Sequence, residues 1–391
     1  MIGQRQRCCA SPGTLACDNQ QNPAWAARQK AEAPPTVRAG EEAPTAGACP
    51  ADRRRRAEPW GLTEIALKQA RLIVSLDCEG KWGMADRITP HHDRCFTREN
   101  LLGAYRAIVD LFDRHDVTAT FAFVGAFVAS PGKVRALLRE VPTGRFASRW
   151  FARVRQDLER GALEGWFLPE ALELVRARGR HEIAGHGFTH LPFAEGQMSA
   201  AWADRELHEL RDHFRGLGLR LRTLIYPRNV VGHLGLLPRH DLIGYREHPP
   251  RRPWPVHLAG WLGRQVGPLR ASAWPGTATP QPIPTAHFVN WRHGLRALVP
   301  KAHVVARFCR LIDDAVARGG IAHFYLHPHN LIDGGDQLEM LDGILAHYAA
   351  CHRRGEIACM TQQQFCEQLR AANLDREDAG GQPDTAPRLR A

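Results

Sequence analysis

The sequence lacks several features that would assign its 391 residues to a special class of protein. It has no run of eighteen apolar residues, and its first twenty residues lack the apolar segment of a secretory signal. Its ten cysteines form no CxxC pair and no regular framework, so we expect reduced thiols. No internal repeat of solenoid period is present. These absences argue against a membrane-spanning, exported or disulfide-stabilised protein and favour a cytoplasmic one.

The formal net charge of +11 comes mostly from arginines scattered along the chain. The one dense run, residues 53–56, lies in an Ala/Pro/Gly-rich segment without interleaved aromatic residues. We therefore predict a disordered basic extension over residues 1–62 and expect no nucleic-acid partner. A single large domain over residues 63–370 and a polar tail over residues 371–391 complete the predicted organisation, and the oligomeric state stays open.

Between the two tails, strand-like apolar segments alternate with segments of helical periodicity. ARLIVSLD, LLGAYRAIVDLFDRH and VTATFAFVG follow one another as a βαβ unit. The pattern returns at HEIAGHG, LRTLIYP and IAHFYLHPHN with helix-like stretches between them. It closes with EIACMTQQQFCEQL, where Thr361 and Gln364 predict a capping box. Repeated units of this length predict an α/β fold, either a barrel or a doubly wound sheet. One helical face of the first unit carries Leu101, Tyr105, Ile108 and Phe112.

Polar residues stand where four of these predicted strands end. In both candidate folds the carboxyl ends of parallel strands form the active-site edge, so these side chains are expected to converge on one mouth. A lone residue of this kind is more often structural, but four coincident polar ends indicate a joint site. The residues are Asp77 and Glu79, His186 and His190, Arg228 and Asn229, and His327 and His329.

The segment HGFTH spaces His186 and His190 four residues apart. On a helical turn, this spacing places both imidazoles on one side. Together with one carboxylate they form a three-ligand site that leaves a position open for water. Two nitrogen ligands and one oxygen ligand suit zinc or a similar divalent cation. We therefore predict a divalent metal cofactor, zinc in the first instance.

In order along the chain, DCEG, VTATFAFVG, HEIAGHGFTH, YPRN and LHPH resemble the motifs of the polysaccharide deacetylase family, the metal-dependent carbohydrate esterases with a NodB homology domain. The resemblance extends over residues 70–370. Its most specific segment, HEIAGHGFTH, has the spacing of the family's H-[ST]-x-x-H metal motif, with Gly187 where Ser or Thr is usual. The resemblance implies a distorted (β/α) barrel, usually of seven strands, and hydrolytic removal of acetyl groups from sugars or related polymers.

The resemblance also implies roles for individual residues. The family's first motif carries a base and a metal ligand, which we match to Asp77 and Glu79, with the reverse assignment left open. Alternation along a strand sends both carboxylates to the same face. Glu79, His186 and His190 are then the metal ligands.

Two further roles have an alternative residue each. The family's third motif places an arginine two residues before a proline, but this chain has Ile225 there. Arg228 is the substitute expected to hold Asp77 ionised, with Arg246 as the alternative. His327 matches the family's histidine acid, with His329 as the alternative.

The expected reaction is the metal-dependent hydrolysis of an acetyl group, N-acetyl in the first instance, on a glycan, glycolipid or sugar precursor. Asp77 takes a proton from water, and His327 protonates the leaving group, which an amide requires. Two rival hypotheses stay open. One is a different metal-dependent hydrolase that cleaves a small amide or imide. The other is a carbohydrate-binding relative without catalytic activity.

Two stretches, about residues 130–180 and 233–298, are longer than ordinary connections and are predicted to be insertions that shape the substrate pocket. The second stretch contains four tryptophans that could stack on sugar faces: Trp254, Trp261, Trp274 and Trp291. For any one of them, packing in a partly buried position is the commoner role.

Overall fold

The structure is a computed structural model that describes residues 69–141, 144–248, 267–289, 294–333 and 336–378. By its internal contacts the chain divides into two units, residues 1–58 and 59–391, and all the described residues lie in the second. The predicted extension over residues 1–62 therefore lies outside the described residues. The same holds for Trp254, Trp261 and Trp291.

Strands and helices alternate along the described chain, as the sequence predicts. Short 3-10 helices occupy Gly80–Met84, Pro227–Asn229, Leu234–His240 and Gly294–Leu298. The strands are β1 (Ala70–Cys78), β2 (Thr120–Phe123), β3 (Glu182–Gly185), β4 (Thr223–Leu224), β5 (Gly244–Arg246), β6 (Gln281–Ile283), β7 (His287–Phe288), β8 (Ile321–Leu326) and β9 (Ile357–Met360). The α-helices are α1 (Pro90–Cys95), α2 (Arg98–Arg114), α3 (Gly125–Val128), α4 (Pro131–Glu140), α5 (Arg145–Arg160), α6 (Pro169–Arg176), α7 (Ala200–Gly216), α8 (Lys301–Arg318), α9 (Asn330–Asp333), α10 (Gln337–Arg353) and α11 (Gln362–Asp378).

The strands form one sheet in the order β6-β5-β4-β3-β2-β1-β8-β7. Every pairing between them is parallel. The ninth strand, β9, pairs with the first half of β1, whereas β2 pairs with its last four residues. This arrangement confirms the predicted α/β class and distorted barrel. Because all strands run in one direction, their carboxyl ends lie at one edge of the sheet.

The predicted count of seven strands is wrong, because the sheet formed by the described residues has nine. The difference arises within residues 233–298, which were expected to be an insertion. Strands β5, β6 and β7 lie there and contain only three, three and two residues. Segments this short show no alternation of apolar and polar residues, so sequence periodicity cannot detect them.

The core surrounds the central strands on both faces. All nine residues of β1 and all four of β2 are buried, as expected for a parallel sheet covered by helices. The predicted apolar face of α2 is buried against this sheet, where Phe112 meets Phe121 edge to face with ring centroids 6.1 Å apart. Burial on both faces explains why these strands read as continuous apolar runs.

A buried carboxylate links three elements at the amino-terminal end of the sheet. Glu182 begins β3, and its side chain accepts hydrogen bonds from the hydroxyls of Thr120 and Thr223, the first over 2.7 Å. It also accepts the amide of Gln363 over 2.9 Å, so it binds the first turn of α11 to β2 and β4. Burial raises the pKa of Glu182, and these hydrogen bonds to the carboxylate only partly offset that effect.

The last helix is capped as predicted. Thr361 Oγ1 accepts the amide of Gln364 over 3.2 Å, and Gln364 Oε1 accepts the amide of Thr361 over 2.8 Å. Helix α11 continues to Asp378, so the predicted polar tail from residue 371 is helical in its first part. Within the described part of the chain, no helix is both long and apolar enough to cross a membrane.

Trp274 and the described cysteines match their predicted structural roles. Trp274 donates a hydrogen bond to the carbonyl of Gly319 over 2.9 Å and stacks on Phe365. Its ring is therefore used in packing within the domain. The six cysteines of the described residues are free thiols: Cys78, Cys95, Cys309, Cys351, Cys359 and Cys366.

The raised pKa of Glu182 predicts a pH-dependent effect of Glu182→Gln on stability. The folded state holds the proton to a higher pH than the unfolded state does, so this contribution to stability is present at low pH and lost as pH rises through the folded pKa. The neutral amide of glutamine has no such loss. We therefore expect the free energy of unfolding of the variant minus that of the wild type, measured by urea unfolding, to be larger at pH 8 than at pH 5. A stability difference that is the same at both pH values would contradict this assignment.

Candidate metal centre and active site

Glu79, His186 and His190 bring their ligand atoms together at the carboxyl end of the sheet, and all three are buried. Nε2 of His190 lies 2.8 Å from Oε2 of Glu79, and Nε2 of His186 lies 3.3 Å from the same oxygen. The two Nε2 atoms are 3.0 Å apart. The three residues predicted as metal ligands therefore form one cluster, with one oxygen and two nitrogens facing each other.

His186 directly follows β3, and its backbone continues the strand pairing by donating to the carbonyl of Phe123 over 2.9 Å. Its Nδ1 donates to the carbonyl of Ile225 over 2.7 Å. In a neutral imidazole this hydrogen bond leaves Nε2 unprotonated and directed at Glu79. The strand thus places the ring, and a backbone carbonyl of the neighbouring segment selects the tautomer that suits a metal ligand.

The pair of histidines does not lie on a helical turn, contrary to the sequence expectation. The residues between them form a bend, with φ of +70° at Gly187 and +60° at His190. A Cβ at Gly187 would lie 3.0 Å from the ring of Pro227. The left-handed backbone and this close contact explain why glycine replaces the Ser or Thr of the family motif.

Hydrogen bonds hold this bend on two sides. The amides of Gly125 and Ala126 donate to the carbonyls of Gly187 and Phe188 over 3.0 and 2.8 Å. On the other side, the buried carboxylate of Glu206 on α7 accepts the amides of Phe188 and Thr189 over 2.9 and 2.8 Å. Burial raises the pKa of Glu206 to about 7. The backbone between the histidines is therefore fixed by contacts that do not involve the histidines themselves.

His190 is held by stacking. Its ring lies 6.1 Å from the ring of Trp150 at an interplanar angle of 23°. Trp150 belongs to α5, so the stretch over residues 130–180 contributes this contact to His190. Burial lowers the pKa of His190 to about 4, against the opposing charge of Glu79, so the imidazole is neutral at pH 7. A neutral imidazole has the lone pair that a metal requires.

This donor set fits a divalent cation. Burial opposes the charged form of Glu79, but its hydrogen bonds and other interactions with the surrounding histidines outweigh burial and hold the pKa of Glu79 well below its usual range, so the carboxylate is ionised. One carboxylate and two imidazoles, with ligand atoms within 4.8 Å of one another, match a three-ligand zinc site.

The backbone of Gly83 leaves little space beside the Glu79 carboxylate. A Cβ on Gly83 would lie 1.9 Å from Oε1 of Glu79. The 3-10 helix over Gly80–Met84 therefore approaches the carboxylate as only a glycine can. This contact determines where the Glu79 side chain can lie.

Asp77 sits next to this cluster in a buried ion pair with Arg246. The two guanidinium Nη atoms donate to Oδ1 and Oδ2 of Asp77, each over 2.7 Å. Burial alone would raise the pKa of Asp77, but the charge and hydrogen bonds of Arg246 outweigh it, so the pKa lies below its usual range. Oδ2 of Asp77 is 4.0 Å from Nε2 of His186. Asp77 is thus ionised and lies close to His186.

The expectation that Arg228 holds Asp77 is wrong. Arg228 instead donates to both carboxylate oxygens of Asp86, over 3.2 Å from Nη1 and over a shorter distance from Nη2. Its guanidinium also lies 4.3 Å from the centre of the Trp150 ring. The alternative residue, Arg246, occupies the position beside Asp77. Because Arg246 lies on β5, within the stretch expected to be an insertion, the sequence alone did not distinguish it from a surface arginine.

His327 lies at the open side of the cluster. Its Nε2 is 3.8 Å from Oδ2 of Asp77 and 3.6 Å from Oε1 of Glu79, and its side chain is 21% exposed. Nδ1 of His327 lies 3.4 Å from Nδ2 of Asn330, which can only donate. This contact favours the tautomer with the proton on Nε2. His327 therefore presents an N–H toward the carboxylates and solvent.

His329, the alternative to His327, is buried beneath it. The two rings are tilted with centroids 5.1 Å apart, and Phe96 packs against His329. Burial lowers the pKa of His329 to about 3, so this ring is neutral at pH 7. The geometry favours His327 over His329 as the group that reaches a substrate.

A second group of metal-type side chains lies away from the sheet edge. Asp313 on α8 faces His347 and Cys351 on α10, with 2.7 Å between Asp313 Oδ1 and His347 Nε2. The Asp313 side chain is 56% exposed, and Arg354 donates to the sulfur of Cys351 over 3.1 Å. The sulfur is thus already engaged, so this group lacks the preorganisation of the Glu79 cluster.

Several residues that support the site were not identified from the sequence. Glu206 was detectable, because it shares a helical face with Trp202 and Leu210, where a carboxylate is unexpected. Gly83 and Trp150 carried no such signal, since their contacts with Glu79 and His190 arise only in the folded chain.

Residues 99–229 match the family model described as Polysaccharide deacetylase. The match includes His186 and His190, whereas Asp77, Glu79 and His327 lie outside it. No curated protein matches the sequence.

Several solved structures are similar to the chain. One is a Mycobacterium smegmatis protein assigned to the polysaccharide deacetylases, with 13% identity over 83% of this chain and 96% of that chain and a TM-score of 0.49. A peptidoglycan deacetylase from Bacillus subtilis has 13% identity over 80% and 98% of the two chains and a TM-score of 0.36. A pseudoenzyme of the carbohydrate esterase 4 family from Bacillus anthracis has 13% identity over 77% and 66% and a TM-score of 0.36.

These TM-scores lie below 0.5, so the fold assignment rests on the strand order and pairing of this chain itself. The similarity to the family rests on the matched segment, which contains the bend with the two histidines. Over residues 99–229, the chain is therefore similar to the polysaccharide deacetylase family.

Proposed function

We propose that the chain is a metal-dependent hydrolase that removes acetyl groups, N-acetyl in the first instance, from a glycan, glycolipid or sugar precursor. The observation that carries this proposal is the position of the ionised, arginine-bound Asp77 beside the buried Glu79, His186 and His190. Metal-assisted hydrolysis requires such an arrangement, in which a carboxylate that does not bind the metal lies next to three metal ligands.

Glu79, His186 and His190 are the proposed ligands, and the N/N/O donor set favours zinc. When bound, a divalent cation supplies Lewis acidity, which polarises a carbonyl and makes water a better nucleophile at neutral pH. The burial of all three side chains and the hydrogen bond from His186 Nδ1 to the carbonyl of Ile225 keep the donors oriented.

Asp77 is the proposed general base. Its lowered pKa keeps it ionised and able to accept a proton at neutral pH. Arg246 holds both carboxylate oxygens at once, which fixes the plane of the carboxylate and therefore the direction of its lone pairs.

His327 is the proposed general acid. Arg246 orients the base Asp77, whereas His327 delivers a proton from Nε2 to the leaving atom. An amide needs this proton, because an amine anion leaves very poorly at neutral pH. The partial exposure of His327 allows a substrate to reach it.

The test of the function is acetate release from tetra-N-acetylchitotetraose and N-acetylglucosamine by the zinc-loaded full chain. We expect activity in the wild type and its loss in Asp77→Asn, with the zinc content unchanged. The non-catalytic alternative predicts no acetate from either protein at any zinc concentration.

Arg246→Lys and Arg228→Lys form a matched pair of variants. Lysine retains the charge but cannot hold both oxygens of a carboxylate, so Arg246→Lys is expected to lower kcat for acetate release by roughly 10- to 100-fold. Arg228 contacts Asp86 and Trp150, so the same change there is expected to lower kcat by less than about threefold. Equal losses in the two variants would remove Arg246 from its proposed role.

Gly83→Ala tests the metal centre without reference to activity. The added methyl group displaces the carboxylate of Glu79, because the two would lie 1.9 Å apart, and the end of a side chain moves more readily than the backbone. We expect zinc affinity, measured by competition with a chelator, to fall by roughly 10- to 100-fold while the fold is retained. Gly132→Ala is the control, since nothing lies within 4 Å of its Cβ position. Unchanged zinc affinity in both variants would show that Glu79 is not a ligand.

A further inference from the structure

The guanidinium of Arg246 has two further hydrogen-bond partners besides Asp77. Nη1 donates to Oδ1 of Asp77 and also to Oγ of Ser75, the latter over 3.2 Å. Nη2 donates to Oδ2 of Asp77 and also to Oδ1 of Asn229, the latter over 2.8 Å. Each Nη carries two N–H groups, so these four hydrogen bonds use all of them. The guanidinium plane also stacks over Tyr325 at 4.2 Å. Ser75 and Asn229 thus prevent rotation of the group that orients Asp77.

The hydroxyl of Ser75 needs an acceptor for its own proton, because its oxygen already accepts from Arg246. Nε2 of His323 lies 3.0 Å from Ser75 Oγ, and Nδ1 of His323 lies 2.7 Å from the carbonyl of Pro284. A carbonyl can only accept, so the ring proton must be on Nδ1 and Nε2 must accept from Ser75. The direction of every hydrogen bond from Pro284 to Asp77 is therefore determined.

The burial of this chain of side chains supports the same proton positions. Ser75 is 0% exposed and His323 1% exposed, and burial lowers the pKa of His323 to about 3. The imidazole is therefore neutral at pH 7. A neutral ring retains the acceptor nitrogen that Ser75 requires.

The strand register explains why these residues meet. Ser75 and Asp77 are two residues apart on β1 and point to the same face. Ser75 pairs with Tyr325 in the parallel register, and His323 lies two residues before Tyr325 on the adjacent β8. Arg246 reaches these strands from β5. Ser75, Tyr325 and His323 thus lie on one face of the sheet, and Asp77 lies on the same face two residues farther along β1.

We propose that Ser75 and His323 are positioning residues for catalysis: His323 directs the Ser75 hydroxyl, Ser75 fixes the Arg246 guanidinium, and Arg246 orients the base Asp77. This inference rests on the proposed function for its kinetic consequence. The restraint on Arg246 itself is independent of any activity.

Three variants separate this role from a general role in packing. Ser75→Ala removes the hydroxyl, and His323→Leu removes both ring nitrogens while filling much of the space. His323→Gln keeps a side-chain oxygen that accepts from Ser75. All three leave the ligands Glu79, His186 and His190 untouched, so unchanged zinc content serves as the check on folding.

The first readout uses NMR of the arginine Nη–H groups in the zinc-loaded full chain, with the Arg246 signals assigned by their loss in Arg246→Lys. We expect four separate Nη–H signals in the wild type and His323→Gln, and signals averaged by rotation in Ser75→Ala and His323→Leu. Four separate signals in Ser75→Ala would overturn the proposal.

The second readout is acetate release from tetra-N-acetylchitotetraose. We expect kcat to fall about tenfold in Ser75→Ala and His323→Leu, as for the loss of one buried hydrogen bond, and to recover in His323→Gln. KM should stay within about twofold of the wild-type value, because neither residue is at the proposed substrate surface. Wild-type kcat in Ser75→Ala would overturn the positioning role. If the wild type itself releases no acetate, the proposed function fails, and the NMR signals alone decide whether the restraint on Arg246 exists.

Discussion

Two carboxylates are buried almost side by side at the end of β1, and the site is built from the groups that surround them. Asp77 is 3% exposed and Glu79 is 6% exposed. A buried carboxylate without a partner takes up a proton, because a low dielectric disfavours the charged form. Arg246 compensates Asp77, whereas two imidazoles face Glu79. This division separates a carboxylate that is hydrogen-bonded to an arginine through both oxygens, the proposed base, from a carboxylate that faces two imidazoles, the proposed ligand. It also supports the assignment of Asp77 as base and Glu79 as ligand over the reverse one.

The compensating groups are effective only because the backbone around them is rigid. The bend between His186 and His190 is held by amides from α3 and by the carboxylate of Glu206 on α7. Gly83 limits the space around Glu79, and Gly187 permits the left-handed turn between the histidines. The cluster is thus organised by residues that are not ligands, as is usual for preorganised metal and catalytic sites.

The parts of the fold and site that could be predicted from the sequence are those with a local signal. Long buried strands such as β1 and the apolar face of α2 have clear periodicity, and polar residues at strand ends identified Glu79, His186 and His190 as one cluster. The arginine beside Asp77 was assigned to Arg228, because proximity to Pro227 was the only local guide. Its true position on β5 depends on a three-residue strand and on contacts across the sheet, neither of which leaves a periodic pattern. The bend that carries His190 likewise depends on backbone angles and tertiary hydrogen bonds, which residue spacing alone does not specify.

Metal content decides whether Glu79, and not Asp77, is a metal ligand. The wild type, Glu79→Gln and Asp77→Asn would be reconstituted with zinc, freed of excess metal and measured by elemental analysis. We expect about one zinc per chain in the wild type and in Asp77→Asn, and a loss of zinc in Glu79→Gln. Zinc retained by Glu79→Gln but lost by Asp77→Asn would reverse the two roles, and a wild type that binds no zinc would contradict the metal centre altogether.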